Sequence, residues 1–137
     1  MQIEDMLILH EGMKRKPYKD TEGHLTIGVG RNLDSMGLSD DEVYYLLRND
    51  IRRCENELAD TFDWFVGLDK IRKEAMINIC FNVGITSLRG FSRALAAMSV
   101  GDHSLASTEF LDSLWASQVG RRAITLTNMI RTGEYDA

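Results

Sequence analysis

Proline and cysteine are scarce in this chain. Of its 137 residues one is proline and two are cysteine, Cys54 and Cys80. Two cysteines make no disulfide framework, and both lie in apolar helical patterns, where buried thiols are common. A hydrophobic fraction of 44% is enough for a core without crosslinks. The sequence therefore predicts a single domain, residues 1–137, made in a reducing compartment.

Long apolar runs and an excess of basic charge are also missing. No segment approaches the length of a transmembrane helix, and the N-terminus lacks the basic start and apolar centre of a signal peptide. The net charge is −5. An acidic chain binds nucleic acid poorly, because contacts to phosphate dominate that affinity. We therefore expect synthesis in a cytoplasm, no nucleic-acid partner and no stable insertion into a membrane.

The N-terminal part predicts a short helix followed by a β-hairpin. Apolar residues recur at helical spacing up to Gly12, which predicts a helix over residues 3–11. The segment 20–23 has the composition of a turn, and the β-prone segment 24–27 follows it. These segments predict a small antiparallel hairpin unit.

The rest of the chain predicts helices. Ser39 and Glu42 form a capping-box pattern before a helix of about 20 residues. The segment 75–81 is apolar on nearly every side, which is typical of a helix in the middle of a core. Three further helical segments cover about 92–100, 104–115 and 121–131.

These elements predict an α+β fold that is mostly helical and has two lobes. The small hairpin lobe covers about residues 12–38, and a long connecting helix covers 39–60. The all-helical lobe comprises residues 61–137 together with the helix at 1–11. We expect the functional cleft to lie between the lobes.

Two carboxyl groups and a hydroxyl near the N-terminus have complementary properties. Glu11 ends the first helix, where the negative end of the helix dipole disfavours its ionised form. Asp20 begins the turn, where a solvated carboxylate stays ionised, and the Thr26 hydroxyl on the returning strand can help hold a water molecule beside it. One protonated and one ionised carboxyl is the arrangement of glycoside hydrolysis, and inverting enzymes separate the two by about 6.5–9.5 Å. Each residue taken singly is more readily explained as structural.

The segments around these residues resemble the phage-type lysozymes of glycoside hydrolase family 24. The catalytic signature of that family is Glu, eight residues, Asp, five residues, Thr, and Glu11, Asp20 and Thr26 reproduce this spacing. The resembling segments are Leu9-His10-Glu11-Gly12, Tyr18-Lys19-Asp20-Thr21-Glu22-Gly23 and Leu25-Thr26-Ile27-Gly28-Val29-Gly30. The resemblance implies a lysozyme-like fold.

The resemblance continues more loosely over most of the chain and implies further site residues. By that resemblance Arg122 pairs with Glu11, and Gly30, Phe81 and Asn82 bind substrate. An ion pair with Arg122 would oppose the helix dipole at Glu11, and the sequence leaves open which effect is larger. Arg31 departs from the family's best-known member, which has histidine there, so an ion pair formed at this position would differ.

Nothing in the sequence indicates a metal or a cofactor. The three histidines are scattered, and Gly28-Val29-Gly30 lacks the third glycine of a dinucleotide fingerprint. No serine or cysteine lies in a recognised nucleophile motif. We therefore expect catalysis by side chains alone.

The resemblance implies a muramidase that hydrolyses the β-1,4 bond between N-acetylmuramic acid and N-acetylglucosamine in peptidoglycan, with inversion. Glu11 would protonate the leaving oxygen, and Asp20 with Thr26 would activate water. The implied role is that of a monomeric phage endolysin, which stays in the host cytoplasm until a holin admits it to the periplasm and cell wall for host lysis. A lytic transglycosylase and an inactive wall-binding module remain as alternatives.

Overall fold

The structure is a computed structural model that describes residues 2–136. The contacts within it separate two compact units, Met1–Leu46 and Leu47–Ala137. The prediction of a mostly helical α+β fold is confirmed, because helices and one small sheet make up the described chain. None of the described helices is both long enough and apolar enough to cross a membrane. The assignment of residues to lobes, including the helix at 1–11, stays a prediction.

The N-terminal unit contains one complete helix, a three-stranded antiparallel sheet and the start of a second helix. Its elements are α1 (Ile3–Glu11), β1 (Lys14–Lys19), β2 (Leu25–Gly28) and β3 (Arg31–Asn32), with strand order β1-β2-β3. The helix has the predicted bounds, because Gly12 adopts φ +80°, a conformation that favours glycine and ends the helix. The sequence predicted a hairpin without β3, since two residues are too few to show an alternating pattern.

Strand β2 is the centre of this sheet. Thr26 on β2 pairs with Tyr18 on β1 and with Asn32 on β3. Its side chain is therefore covered from both sides, and Thr26 is the only buried residue among the described residues 2–46. A hydroxyl in that position is fixed by the sheet itself.

The long helix α2 (Asp40–Thr61) begins with the predicted capping box. The backbone N–H of Glu42 donates to Ser39 Oγ at 3.2 Å, and the N–H of Ser39 donates to the Glu42 carboxylate at 2.9 Å. These bonds satisfy N–H groups that have no partner within the helix. Near its other end, α2 buries Cys54 and Leu58.

Helices are the only regular secondary structure among the described residues of the C-terminal unit. Beyond the end of α2 it contains α3 (Lys70–Val83), α4 (Ile85–Leu88), α5 (Ser92–Ser99), α6 (His103–Leu111), α7 (Leu114–Val119) and α8 (Arg121–Thr132). The prediction of one helix over 104–115 is wrong, because the helix is interrupted between α6 and α7. Ser113 causes this break by capping α7, with its hydroxyl accepting the N–H of Ala116 at 3.3 Å. The short helix α4 was not predicted.

The core of the C-terminal unit forms around α3 and α6. Ala75, Met76, Ile79 and Cys80 on α3 are almost fully buried, which confirms that this apolar helix lies inside the core. Three methionines, Met76, Met98 and Met129, are also buried in this core. The exposed side chains of α3 therefore extend from a helix whose other side is packed in the core.

Candidate active site

Glu11 lies at the C-terminal end of α1 with its side chain exposed. The helix ends directly after it, where the N–H of Gly12 donates to the carbonyl of Ile8 at 2.8 Å. Its carboxylate extends to the turn between β2 and β3, because a Cβ placed on Gly30 would lie 2.9 Å from Glu11 Oε2. Glu11 therefore occupies the end of the helix and contacts the backbone of the sheet.

The Asp20 side chain is held by the turn between β1 and β2. Its Oδ1 accepts the backbone N–H of Glu22 at 2.9 Å and that of His24 at 2.8 Å. These bonds, with that from His24 the larger cause, lower the pKa of Asp20 below its usual value. The turn therefore both orients the carboxylate and keeps it ionised.

Thr26 lies on the same face of the sheet as Asp20. The N–H of Asp20 donates to the carbonyl of His24 at 2.9 Å, so these two residues continue the ladder that pairs Tyr18 with Thr26. Side chains two positions apart share a face, and diagonal neighbours lie about 7–8 Å apart with their Cβ atoms somewhat closer. The Thr26 hydroxyl donates to the carbonyl of His24 at 3.0 Å, which leaves its oxygen able to accept a further hydrogen bond.

His24 is a neighbour of this site that the sequence analysis treated as isolated. Its Nδ1 lies 3.6 Å from Asp20 Oδ2 and 3.7 Å from Glu22 Oε2. A positive charge on His24 contributes to the lowered pKa of Asp20. The sequence did carry a sign of this contact, because His24 lies four residues after Asp20, across a turn.

Gly30, one of the predicted substrate-binding residues, lies against the Glu11 carboxylate. It adopts φ +69°, and the space where a side chain would stand is occupied by the Glu11 carboxylate. Glycine is therefore required here for two reasons, the backbone conformation and the approach of the carboxylate. Its direct role toward substrate stays a prediction.

We expect Gly30→Ala to reduce activity much more than stability. The positive φ costs about 1–2 kcal/mol, and the new methyl group displaces the Glu11 carboxylate. Gly101→Ala is the matched control, since Gly101 has φ +75° and open space around the missing side chain. Urea unfolding should show similar losses in the free energy of unfolding for both variants, whereas the catalytic rate should fall only for Gly30→Ala. Equal rates in the two variants would contradict this assignment.

Arg31 joins the sheet to the start of α2. Its guanidinium donates to both carboxylate oxygens of Glu42 at 2.8 Å and to the carbonyl of Gly37 at 3.0 Å. The bonds from Arg31 are the main reason why the pKa of Glu42 falls to about 2. The ion pair that the sequence analysis left undefined at this position is therefore with Glu42.

The Arg31–Glu42 pair predicts a pH-dependent effect of Arg31→Ala on stability. The pKa of Glu42 is about 2 in the folded chain and 4.5 ordinarily, so the pair stabilises the fold above about pH 4.5 and loses this effect as pH falls to about 2. Thermal unfolding should therefore show a lower Tm for Arg31→Ala at pH 6 and a much smaller difference at pH 2, where only the bond from Arg31 to the Gly37 carbonyl remains to be lost. Arg48→Ala removes an equal charge from α2 and should show no such pH dependence; a constant difference for Arg31→Ala would contradict the prediction.

In the C-terminal unit, Arg122 and Phe81 line one groove of about 480 Å³. Arg122 is exposed, and its Nε and Nη2 donate to Asn78 Oδ1 at 2.9 and 2.6 Å. Phe81 on α3 is 45% exposed, although Ile79 and Cys80 just before it lie in the core. Asn78 was not singled out by sequence reasoning, and its spacing of one helical turn from Phe81 was the signal. The ion pair of Arg122 with Glu11 stays a prediction.

Asn82, the remaining predicted binding residue, contacts an aromatic residue. Its Oδ1 accepts the indole N–H of Trp115 at 2.7 Å. Trp115 also lines a larger groove of about 700 Å³ together with Phe91 and Gln118. The bond orients the Asn82 amide at the end of α3, while its contact with substrate stays a prediction.

The two cysteines do not have the properties of nucleophiles. Both thiols are buried, and burial raises the pKa of Cys80 to about 12 and that of Cys54 above its usual value. A cysteine nucleophile needs a thiolate near neutral pH, which this environment disfavours.

Comparison with known proteins places the chain among lysozymes. The profile of the family described as phage lysozyme matches residues 9–132. A probable T4-type lysozyme 1 of Dictyostelium discoideum is 29% identical, over 98% of this chain and 96% of that protein. An endolysin of Acyrthosiphon pisum secondary endosymbiont phage 1 is also 29% identical, over 82% of this chain and 77% of its own length.

A further relative is much longer than this chain. The pre-baseplate central spike protein Gp5 of Enterobacteria phage T4 is 27% identical across the whole chain, which covers 29% of that protein. Similar sequences therefore occur both as nearly whole proteins and as a part of a larger one.

The family match and the lysozymes and endolysin among its relatives together define a glycoside hydrolase. The chain belongs to the phage lysozyme family. It is a peptidoglycan hydrolase. The bond that it cleaves and the stereochemistry of cleavage depend on its site residues.

Proposed function

We propose that this enzyme hydrolyses the β-1,4 bond between N-acetylmuramic acid and N-acetylglucosamine with inversion at the anomeric carbon. Glu11 donates a proton to the leaving oxygen. Asp20 accepts a proton from water on the opposite face of the sugar, and the Thr26 hydroxyl holds that water by accepting a hydrogen bond. No metal or cofactor takes part in these steps.

The observation that carries this proposal is the environment of Asp20. Two backbone N–H groups hold its carboxylate and lower its pKa, and Thr26 is fixed on the same sheet face. A general base must be ionised at the working pH and must have its water held in position. A buried threonine beside an oriented carboxylate meets both requirements, whereas a reaction that uses no water needs neither.

The products of digestion test the chemistry directly. Purified peptidoglycan is digested in H₂¹⁸O, and the fragments are analysed by mass spectrometry, with NMR of the first product anomer. We expect reducing N-acetylmuramic acid ends that carry one ¹⁸O and appear first as the α-anomer. Anhydro ends would show a lytic transglycosylase, and a first β-anomer would show retention; each contradicts the role given to Asp20. The absence of fragments from folded protein would contradict both enzymatic mechanisms.

We further propose that the protein acts as a monomeric phage endolysin in host lysis. The similarity to an endolysin over 82% of this chain supports this role. The protein would remain in the host cytoplasm until a holin opens the membrane, and would then act in the periplasm and cell wall. Expression in a bacterial cytoplasm should cause lysis only when a holin is co-expressed, and sedimentation should give the mass of one chain. Lysis without a holin would contradict the proposed route.

A further inference from the structure

Two helices of the C-terminal unit bring three metal-ligating groups together. The Sγ atoms of Cys54 and Cys80 and a carboxylate oxygen of Glu57 all lie within 4.8 Å of one another. Cys54 and Glu57 are three positions apart on α2 and so share one face of that helix, while Cys80 belongs to α3. None of these three residues is assigned to catalysis.

The two thiols of the cluster are buried, and its carboxylate is partly exposed to solvent. Cys54 and Cys80 are 3% and 1% exposed, whereas the Glu57 side chain is 38% exposed. Buried sulfur ligands exclude competing water, and a partly exposed carboxylate leaves a route for an ion to enter. Arg53 Nε lies 4.0 Å from Glu57 Oε1, so one positive charge already faces the carboxylate.

A disulfide is a poor fit for these two cysteines. Disulfides join Cα atoms that are about 4.4–6.8 Å apart, and greater separations need movement of the backbone. No Cα of α2 lies within 8 Å of a Cα of α3, and every residue of both helices is described. The backbones are therefore too far apart for an S–S bond, although the thiols are close.

An ion between the sulfur atoms fits this spacing better. Zn²⁺ binds sulfur at about 2.3 Å and carboxylate oxygen at about 2.0–2.2 Å, which in a tetrahedron separates S from S by about 3.8 Å and S from O by about 3.6 Å. The ligand atoms of each pair therefore need to approach by about 1.2 Å at most. Rotation of side chains can supply such a shift without moving a helix.

We propose that Cys54, Glu57 and Cys80 bind one thiophilic divalent cation, Zn²⁺, with water as the fourth ligand. Each thiol releases its proton to solvent as its sulfur binds the metal. Two thiolates and a carboxylate carry a charge of −3 against +2 on the ion, and Arg53, which also pairs with Asp50 at 2.8 Å, offsets part of the remainder. The bound ion joins α2 to α3 and stabilises the C-terminal unit, independently of the hydrolytic reaction.

Cobalt provides the direct test, because Co²⁺ replaces Zn²⁺ and its bonds to thiolate absorb light. The full chain is reduced with a phosphine, freed of metal with a chelator and titrated with Co²⁺ at pH 8. We expect a thiolate-to-cobalt band in the near ultraviolet that saturates at one ion per chain and disappears when Zn²⁺ is added. The three histidines cannot produce this band, so its absence from wild-type protein would overturn the proposal.

Variants locate the metal. Cys80→Ala should lose the band, and the Tm increase produced by Zn²⁺, roughly 10 °C for wild type at about 100 times the Kd, should disappear with it. Glu57→Gln keeps both sulfur atoms and should weaken affinity by about tenfold or more. Glu55→Gln removes the same charge from the exposed side of α2 and should bind as wild type does.

Two outcomes of the variant series would overturn the site even if wild type binds metal. One is a band that persists in Cys80→Ala, which would place the ion elsewhere. The other is an equal loss of affinity in Glu57→Gln and Glu55→Gln, which would indicate a general effect of charge. The second comparison remains decisive if Cys80→Ala fails to fold, since both glutamate variants leave the core intact.

Discussion

Glu11→Gln should reduce the rate of peptidoglycan hydrolysis by roughly 10²–10⁴-fold, because a general acid contributes a factor of this size and an amide cannot donate the proton. The side chain is exposed at the C-terminal end of α1, so the substitution leaves packing unchanged. It also removes a negative charge from the negative end of the helix dipole, and the free energy of unfolding should therefore not decrease. Initial rates of fragment release, measured beside urea unfolding, test both statements.

Glu4→Gln is the control for this variant. Glu4 is an exposed glutamate in the first turn of the same helix, and its replacement makes the same change of charge. Its hydrolysis rate should equal that of wild type. A Glu11→Gln variant that keeps the wild-type rate would show that Glu11 is not the proton donor, whatever its position in the family signature.

Phe110→Ala should have the largest effect on stability, a loss of about 3–5 kcal/mol in the free energy of unfolding. Phe110 on α6 is 0% exposed, and its ring centroid lies 5.6 Å from that of Phe91 and 6.4 Å from that of Trp115. Removing the ring loses its burial and leaves a cavity that these neighbours fill only in part. Urea unfolding followed by circular dichroism measures the loss as a lower midpoint with an unchanged m-value.

Leu114→Ala provides the comparison for Phe110→Ala. Leu114 is also a large apolar residue of the C-terminal unit, but it is 75% exposed. Its replacement should change the free energy of unfolding by less than about 0.5 kcal/mol. If Phe110→Ala lost less than about 1 kcal/mol, the described packing of the three rings would be wrong.

Local chemistry explains why several elements were predictable. The C-terminal end of α1 depends on a glycine at positive φ directly after Glu11. The start of α2 depends on the reciprocal bonds of Ser39 and Glu42, which are three positions apart. The buried segment of α3 was predictable because its composition leaves no polar face. Glu11, Asp20 and Thr26 were recognisable because their spacing along the chain matches a family signature.

Other features could not be predicted, because they depend on weak local patterns or on residues that are far apart in the sequence. The break between α6 and α7 depends on one hydroxyl cap at Ser113, which an apolar pattern does not reveal. Strand β3 has two residues, and only its pairing with β2 makes it a strand. The partner of Arg31 could not be read from the sequence, since Glu42 lies 11 positions further on and only the fold brings the two side chains together.

The sequence by itself determined the class of fold, the helix ends that side chains and glycines cap, and the identity of the catalytic candidates. These depend on interactions among residues a few positions apart, which spacing records. Only the tertiary structure decided that Gly30 meets the Glu11 carboxylate, that Arg122 binds Asn78, and that Cys54 approaches Cys80. Such contacts depend on how whole elements pack, because small changes in packing alter which distant side chains meet, and no local pattern encodes that geometry.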